Sequence, residues 1–431
     1  MSRPVLVWFR NNLRIDDNEV LRAGLAESHY LVPVYCFDPR HFQHTPLGFP
    51  KTGSHRARFL LESVRDLRKS LRSHGSDLIL RFGEPEHVIP ELAARINASA
   101  IYTKKEVTAE EELVDDHVRA EAKKRGIPLH SVWDDTLYHV DDLPFAVSEL
   151  PEVFTHFRKE CEGASMIRDP HDALMHWMTI EGIDPGKIPA LLEFGLPEPA
   201  AEPRAAFRFH GGESTAWSRM EDYFWHRDRL RDYKQTRNGM LGEDYSTKLS
   251  PWLAHGCISP RRIHAEVKRY EADRVTNDST YWLVFELMWR DYFRFIAWKH
   301  GTNIFKRGGI KRVANRGWSE DLAKFGAWRE GRTGQPLIDA NMMELALTGF
   351  QSNRGRQNAA SYLAHDLGVD WTWGAQWFES QLIDYDVASN WCNWNYVAGV
   401  GNDPREGRRF DPARQSEKYD PEGAYVKHWL G

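Results

Sequence analysis

Over the first 133 residues, short apolar runs alternate with longer stretches whose apolar positions recur at helical spacing. VLVWF (5–9), YLVPVYCF (30–37), DLILRF (77–82), SAIYTK (99–104) and IPLHSVW (127–133) read as strands, with helices predicted near 56–73, 86–96 and 109–124. That rhythm predicts a parallel, Rossmann-like sheet covered by helices, with any ligand cleft at the carboxyl ends of the strands. From 134 to 205 the periodicity weakens and proline recurs at 144, 151, 170, 185, 189, 197, 199 and 203, the pattern of a connector with short helices. After 206 the spacing is helical to the end. The expected organisation is an α/β domain over 1–133, a linker over 134–205 and an all-α domain over 206–431, because 431 residues exceed one ordinary core.

Composition removes several classes of function. Hydrophobic residues make up 41%, charged residues 28%, and mean hydropathy is -0.59, with no apolar run long enough to span a bilayer, so no membrane role is expected. The N-terminus enters a strand-like run without an export signal, which makes the cytoplasm the expected location. Cys36, Cys161, Cys257 and Cys392 are far apart and form no CxxC pair, so reduced thiols are expected rather than disulfides or zinc. The 19 histidines form no HExxH, and no metal is expected. The N-terminal half has neither GxGxxG nor GxxxxGK[ST], which leaves nucleotide binding by those devices unsupported.

With a net charge of -5, any attraction to a polyanion must be local. Three cationic clusters are candidates: Arg227, Arg229, Arg231, Lys234 and Arg237; Lys306, Arg307, Lys311, Arg312 and Arg316; and Arg405, Arg408 and Arg409. Taken singly, each reads more readily as a solvated face.

The helical half holds fourteen of the 17 tryptophans, from Trp217 to Trp429. One such residue is ordinary core; the set points to an enclosed aromatic cofactor. Ser250-Pro251 and Ser259-Pro260 resemble two helix starts, each a capping hydroxyl before proline, and Gly256 is placed to close the first. Ser246, Thr247 and Lys248 put two hydroxyls and a cation beside that start, a pattern that suits a diphosphate but, taken alone, is more often explained by capping. In the helix predicted over 279–300, Trp282, Glu286, Trp289 and Phe293 share a face, and Arg290 stands at i+4 from Glu286 as its expected partner. On an exposed face this is a minor ion pair; facing a cavity, Glu286 is a positioned acid. Asp384, Asp386 and Asn390 stand in an apolar run, with Asn353, Arg354 and Arg356 as complementary donors; a buried Arg–Asp pair is expected, whether as a structural network or as a site.

The segments TRNGMLGEDYSTKLSPWLAHGCISP, ELMWRDYFRF, SNRGRQN and DYDVASNWCNWNYVAGVGNDPRE, in this order and near these separations, resemble the DASH branch of the photolyase/cryptochrome family. KTGSHRARFLLESVRDLRKSLR (51–72) and DDLPF (141–145) extend the similarity over nearly the whole chain. The resemblance implies an N-terminal α/β domain and a helical domain that holds FAD in a folded conformation. By motif position it implies Ser246, Thr247, Lys248, Leu249 and Ser250 at the diphosphate, and Tyr233, Glu286, Trp289, Arg290, Asn353, Arg356, Asp384, Asp386 and Asn390 around the cofactor, with Asn390 beside the reactive ring nitrogen. Glu286 and Asn353 match groups that touch damaged bases, and Tyr396 stands where many duplex-acting photolyases carry tryptophan. Trp394, Trp371 and Trp318 match an electron relay between flavin and surface.

A methenyltetrahydrofolate antenna is usual in this branch, with Glu106 the match for its carboxylate contact. Gln351 stands where methionine is frequent and Cys392 where glycine is often found, which bears on substrate preference. The chain ends at Gly431 without the long tail of signalling members. The expectation is a monomeric, blue-light-driven lyase acting on cyclobutane pyrimidine dimers, mainly in single-stranded DNA. Its rivals are a blue-light signalling protein that binds DNA or a protein partner with little repair, and a dark flavin oxidoreductase, for which no nicotinamide fingerprint is found.

Overall fold

The structure, a computed structural model, describes residues 3–173, 177–314, 316–405 and 407–431. Among them, the N-terminal half forms a five-stranded parallel sheet of order β3-β2-β1-β4-β5, with β1 Val5–Phe9, β2 Leu31–Phe37, β3 Ile79–Phe82, β4 Ala100–Lys104 and β5 Leu129–Val132. β1 pairs with β2 in the register Val5↔Leu31 and with β4 as Val5↔Ala100, so it lies at the centre. The helices between strands are α1 Glu19–Glu27, α2 Ser54–Ser73, α3 Pro85–Arg95 and α4 Ala109–Lys124. The expected strands and three of these helices are present. α1 is the addition: Asn18 caps it by accepting from Leu21 N at 3.0 Å, and Gly24 lets it lie on the sheet, since a Cβ there would meet Leu31 and Val7 at 3.3 Å.

Successive β1 side chains point to opposite faces. Leu6 and Trp8 join Ile89, Leu92 and Val118 in a core under α3 and α4. Val5, Val7 and Phe9 face the other way, into a core that runs on to Trp252, Tyr292 and Trp394 of the second half. One continuous apolar layer therefore joins the halves.

The connector contributes α5, Phe154–Ala164. The rest is helical: α6 Glu213–Glu221, α7 Tyr233–Thr236, α8 Ser250–Ala254, α9 Pro260–Asp273, α10 Asp278–His300, α11 Leu322–Arg329, α12 Pro336–Thr348, α13 Asn353–Ser361, α14 Trp371–Gln381, α15 Val387–Val397, α16 Pro412–Tyr419 and α17 Ala424–Leu430. Among the described residues, no helix is long and apolar enough to cross a membrane. All four cysteines are buried and free.

Polar contacts fix the halves against each other. Asp17, fully buried, is held by Arg261 Nη2 at 2.6 Å, and Asp16 by Arg262 Nη2 at 2.7 Å. Gly256 has φ +65°, and a Cβ there would stand 2.1 Å from the Asn11 carbonyl oxygen; only glycine allows both that backbone and that approach.

Candidate functional site

α10 runs through the middle of the helical half and presents Trp282, Glu286, Trp289, Arg290 and Phe293 over three turns. The Glu286 carboxylate takes its ion pair from Arg237 Nη2 at 2.5 Å and a hydrogen bond from Trp282 Nε1 at 3.2 Å. This corrects the expected i+4 pairing. Arg290 is drawn to Asp135, which lies at 2.6 Å from its Nη2, because that buried carboxylate comes from the connector and needs cations. Arg294 at 2.7 Å and Lys104 at 3.1 Å complete its shell, and against the cost of burial these cations hold Asp135 far below the ordinary range. Glu286, by contrast, is pushed up by desolvation, and Arg237 and the indole N–H only partly offset that shift. Tyr233, buried, faces the same pair, and burial raises its phenol.

Around this acid the wall is aromatic and cationic. Trp289 stacks on Phe154 with centroids 3.7 Å apart and meets Tyr396 edge-on at 6.0 Å. Arg408 donates to the Tyr396 hydroxyl at 3.2 Å. Asn353, exposed, begins α13 behind the Ser352 cap, and Arg354 bonds Asn238 Oδ1 at 2.9 Å.

The turn at 246–250 departs from its sequence reading in two ways. Ser250 does not cap α8: it lies inside the first turn, and its hydroxyl donates to Asp384 Oδ2 at 2.6 Å. Ser259 does cap α9, accepting from Arg262 N at 2.9 Å. Lys248, at φ +55°, carries its ammonium over the Tyr245 ring at 3.5 Å, and burial lowers its pKa to about 7. The charge expected beside the hydroxyls of Ser246 and Thr247 is thus sheltered elsewhere. Arg219 holds the segment from behind by donating to the Thr247 carbonyl at 3.0 Å.

The anticipated Arg–Asp pair is present: Arg356 Nη2 lies 2.8 Å from Asp384 Oδ2. Asp384 therefore has both donors on one oxygen, and its other, Oδ1, is buried without a hydrogen-bond partner among the described residues. A buried acceptor left open costs about 1–3 kcal/mol and is the expected mark of a ligand hydroxyl or N–H. Asp386 caps α15 by accepting from Ser389 N at 2.7 Å. One turn later, Asn390 donates to the Ala375 carbonyl at 3.1 Å, which orients its amide. These residues fit a polar cofactor with a flat ring: donors and acceptors at one end, an oriented amide and indoles at the other.

Of the three tryptophans expected to form a relay, Trp371 and Trp318 are adjacent, both donating to the Arg307 carbonyl, at 3.0 and 3.3 Å. Trp394 is buried against Phe378 at 5.0 Å and Trp328 at 6.2 Å. The ring seen against Trp371 is that of Trp391, edge-on at 5.9 Å.

A second site lies where the strand ends meet the helical half, as strand topology predicts. It is a cavity of about 680 Å³ whose lining includes Trp8, Tyr35, Glu106, Arg294, Tyr385 and Trp391. Glu106 Oε2 accepts from Arg294 at 2.7 Å. Its Oε1 accepts no hydrogen bond among the described residues, although Lys104 Nζ is 3.3 Å away. Against burial, Lys104, Arg294 and Arg10 hold this carboxyl below its ordinary value, so it is anionic.

Arg237, Asp135, Arg294, Tyr385 and Trp391 are site residues that sequence reasoning missed; only Arg237 carried a signal, as part of a cationic cluster. The first and third clusters are paired locally, among them Arg231 with Asp228, Lys234 with Asp278 and Arg409 with Asp366, whereas in the second Arg307 pairs with Asp370.

Comparison with known proteins agrees with this geometry. The FAD binding domain of DNA photolyase matches residues 282–431, and the DNA photolyase domain matches 5–174. Cryptochrome DASH of Gloeobacter violaceus is 54% identical over 429 residues, covering 100% of this chain and 86% of its own. Cryptochrome DASH of Xenopus laevis is 49% identical, covering 100% and 83%. A crystal structure of a Synechocystis sp. cryptochrome superposes with a TM-score of 0.96 at 51% identity, over 100% of this chain and 89% of that one. A class III photolyase from Agrobacterium tumefaciens gives 0.85 at 27%, over 100% and 86%.

Proposed function

Since the chain belongs to the photolyase/cryptochrome family and groups with its DASH cryptochromes, we propose that it is a blue-light-driven FAD enzyme that splits cyclobutane pyrimidine dimers, mainly in single-stranded DNA. One observation carries the reading: Glu286, a partly buried carboxyl with a raised pKa, stands in an aromatic wall, held by Arg237 at 2.5 Å and Trp282 at 3.2 Å.

When bound and fully reduced, FAD supplies the photo-excited electron that opens the dimer and receives it back. Ser246, Thr247, Lys248, Leu249 and Ser250 hold its diphosphate, Lys248 through its main chain, while Arg356 and Asp384 bind the polar moiety next to them. Tyr233, Trp289, Arg290 and Asp386 enclose it, and Asn390, fixed by the Ala375 carbonyl, sets the hydrogen bond at its reactive nitrogen. Glu286, when protonated, donates a hydrogen bond to a pyrimidine carbonyl and stabilises the charge that develops there. Asn353 and Tyr396 position the bases.

Reaching this pocket takes the dimer out of the stack, which is least costly in single strands. The interdomain cavity takes methenyltetrahydrofolate as antenna, with Glu106 Oε1 as the acceptor for its pterin N–H groups. Trp394, Trp371 and Trp318 return electrons to oxidised flavin from the surface.

The test is repair of a dimer-containing oligonucleotide. Glu286→Ala lowers the yield by about tenfold with FAD still bound. Glu286→Gln keeps a donor and loses less. The wild-type yield falls as pH rises through the raised Glu286 pKa, because the neutral donor is lost, whereas the Gln variant is flat. Wild-type yield from Glu286→Ala removes this residue from the mechanism.

A further inference from the structure

The interdomain cavity is joined to the protein surface by a chain of indoles. Trp391 lines the cavity and meets Trp371 edge-on at 5.9 Å. Trp371 and the half-buried Trp318 are bridged by the Arg307 carbonyl, to which both donate. Arg316 lies over the Trp318 ring at 5.6 Å, at the solvent end. At the inner end, Trp391 donates to the hydroxyl of Tyr385 at 3.3 Å, and Tyr385 also lines the cavity. Trp394 lies to one side, its ring packed on Trp328 and Phe378. The contacts thus trace a path that begins at the interdomain cavity rather than at Trp394.

We infer that Trp391 is the inner terminus of an electron path that runs from the interdomain cavity through Trp371 to Trp318. A photo-excited aromatic cation in the cavity draws one electron through this path and is not a purely passive absorber. This rests on the reading that the cavity binds methenyltetrahydrofolate, whose methenyl bridge carries a positive charge. Trp391 would lose one electron to the bound chromophore, which would supply the photo-oxidant. Trp371 refills Trp391, Trp318 refills Trp371, and the Trp318 radical cation releases its indole proton to water. An external thiol then returns a hydrogen atom to Trp318, so the net change is one electron from thiol to chromophore. The Trp391 ring itself is buried, and the ion pair of Arg294 with Glu106 lies on the same cavity wall.

The path competes with energy transfer to the flavin, so it sets an upper bound on antenna efficiency. It also gives Trp391 a role that Trp394 cannot replace.

The experiment uses the full chain with FAD chemically reduced, which removes oxidised flavin as an acceptor, and methenyltetrahydrofolate added. A laser pulse into the near-ultraviolet folate band is followed by transient absorption of the tryptophan radical and by the folate fluorescence lifetime. Wild-type protein is expected to show the radical. Trp391→Phe lowers its yield by about tenfold and lengthens the lifetime, an effect of path removal read as a single-variant difference. Trp371→Phe leaves a radical that recombines early, because the hole stays on Trp391. Circular dichroism melting confirms that each variant is folded. An equal radical yield in wild type and Trp391→Phe overturns the path while the antenna reading stands. Failure of the protein to acquire the near-ultraviolet band overturns both.

Discussion

Asp384→Asn is the perturbation that asks most of the proposed cofactor site. Its Oδ2 accepts from two donors, Arg356 Nη2 at 2.8 Å and Ser250 Oγ at 2.6 Å, and its buried Oδ1 accepts from none among the described residues. Asparagine has one acceptor end. Arg356 and Ser250 fix the amide oxygen where Oδ2 stood, which turns the NH₂ group toward the position of Oδ1. A ligand N–H or hydroxyl that donated to the carboxylate then meets another donor. Replacing a charge-assisted hydrogen bond with an opposed pair costs about 2–3 kcal/mol, and each 1.4 kcal/mol is tenfold in affinity, so the FAD Kd rises by about 100-fold. The assay is flavin fluorescence quenching on titration of FAD into stripped protein, with melting of the same samples to separate affinity from stability. A wild-type Kd in the folded variant refutes the assignment of Oδ1 to the ligand.

Three further outcomes are expected. Trp394→Phe slows photoreduction of oxidised FAD by about tenfold, measured as bleaching of the blue band in the presence of a thiol, and a wild-type rate counts against its place in the relay. Gly256→Ala places a Cβ 2.1 Å from the Asn11 carbonyl at φ +65°; the left-handed backbone and the overpacking together cost about 3 kcal/mol by denaturant titration, and a loss under about 1 kcal/mol contradicts the close approach of the halves. His255 is buried and neutral, its Nε2 donating to the Ile383 carbonyl at 3.1 Å, and burial lowers its pKa to about 4. The folded state takes up this proton less readily than the unfolded state, so about 3 kcal/mol of stability is lost as pH falls from 6.5 to 4; His255→Gln flattens that limb, and an unchanged slope refutes the coupling.

What the sequence revealed and what it hid follow from the range of the interactions. The five strands were legible because β1, β2 and β4 are buried on both faces and read as continuous apolar runs. α1 was not, since nine residues with a central glycine carry little helical signal; Gly24 is there for the sheet beneath it. Local patterns also misdirected. An i+4 spacing assigned Arg290 to Glu286, but a tertiary neighbour 155 positions away, Asp135, holds that guanidinium more strongly than one helical turn can. Ser250 looked like a cap because Ser-Pro usually is one, whereas the demand of Asp384, 134 residues on, redirects its hydroxyl. Motif position supplied the relay tryptophans, yet Trp391, next to Asn390 in the same motif, gained meaning only when its ring was seen between a cavity and Trp371. Lys248 is the same lesson in reverse: a cation beside hydroxyls suggested phosphate, and folding placed the charge on an aromatic ring.

The account stands on a flavin held by the helical half between the 246–250 turn, Asp384 and Asn390. The most direct test is the absorption spectrum of the purified protein, titrated with FAD and then illuminated with a thiol reductant. The account predicts uptake of equimolar FAD and oxidised flavin bands that bleach in blue light. Folded, colourless protein that takes up no added FAD contradicts it.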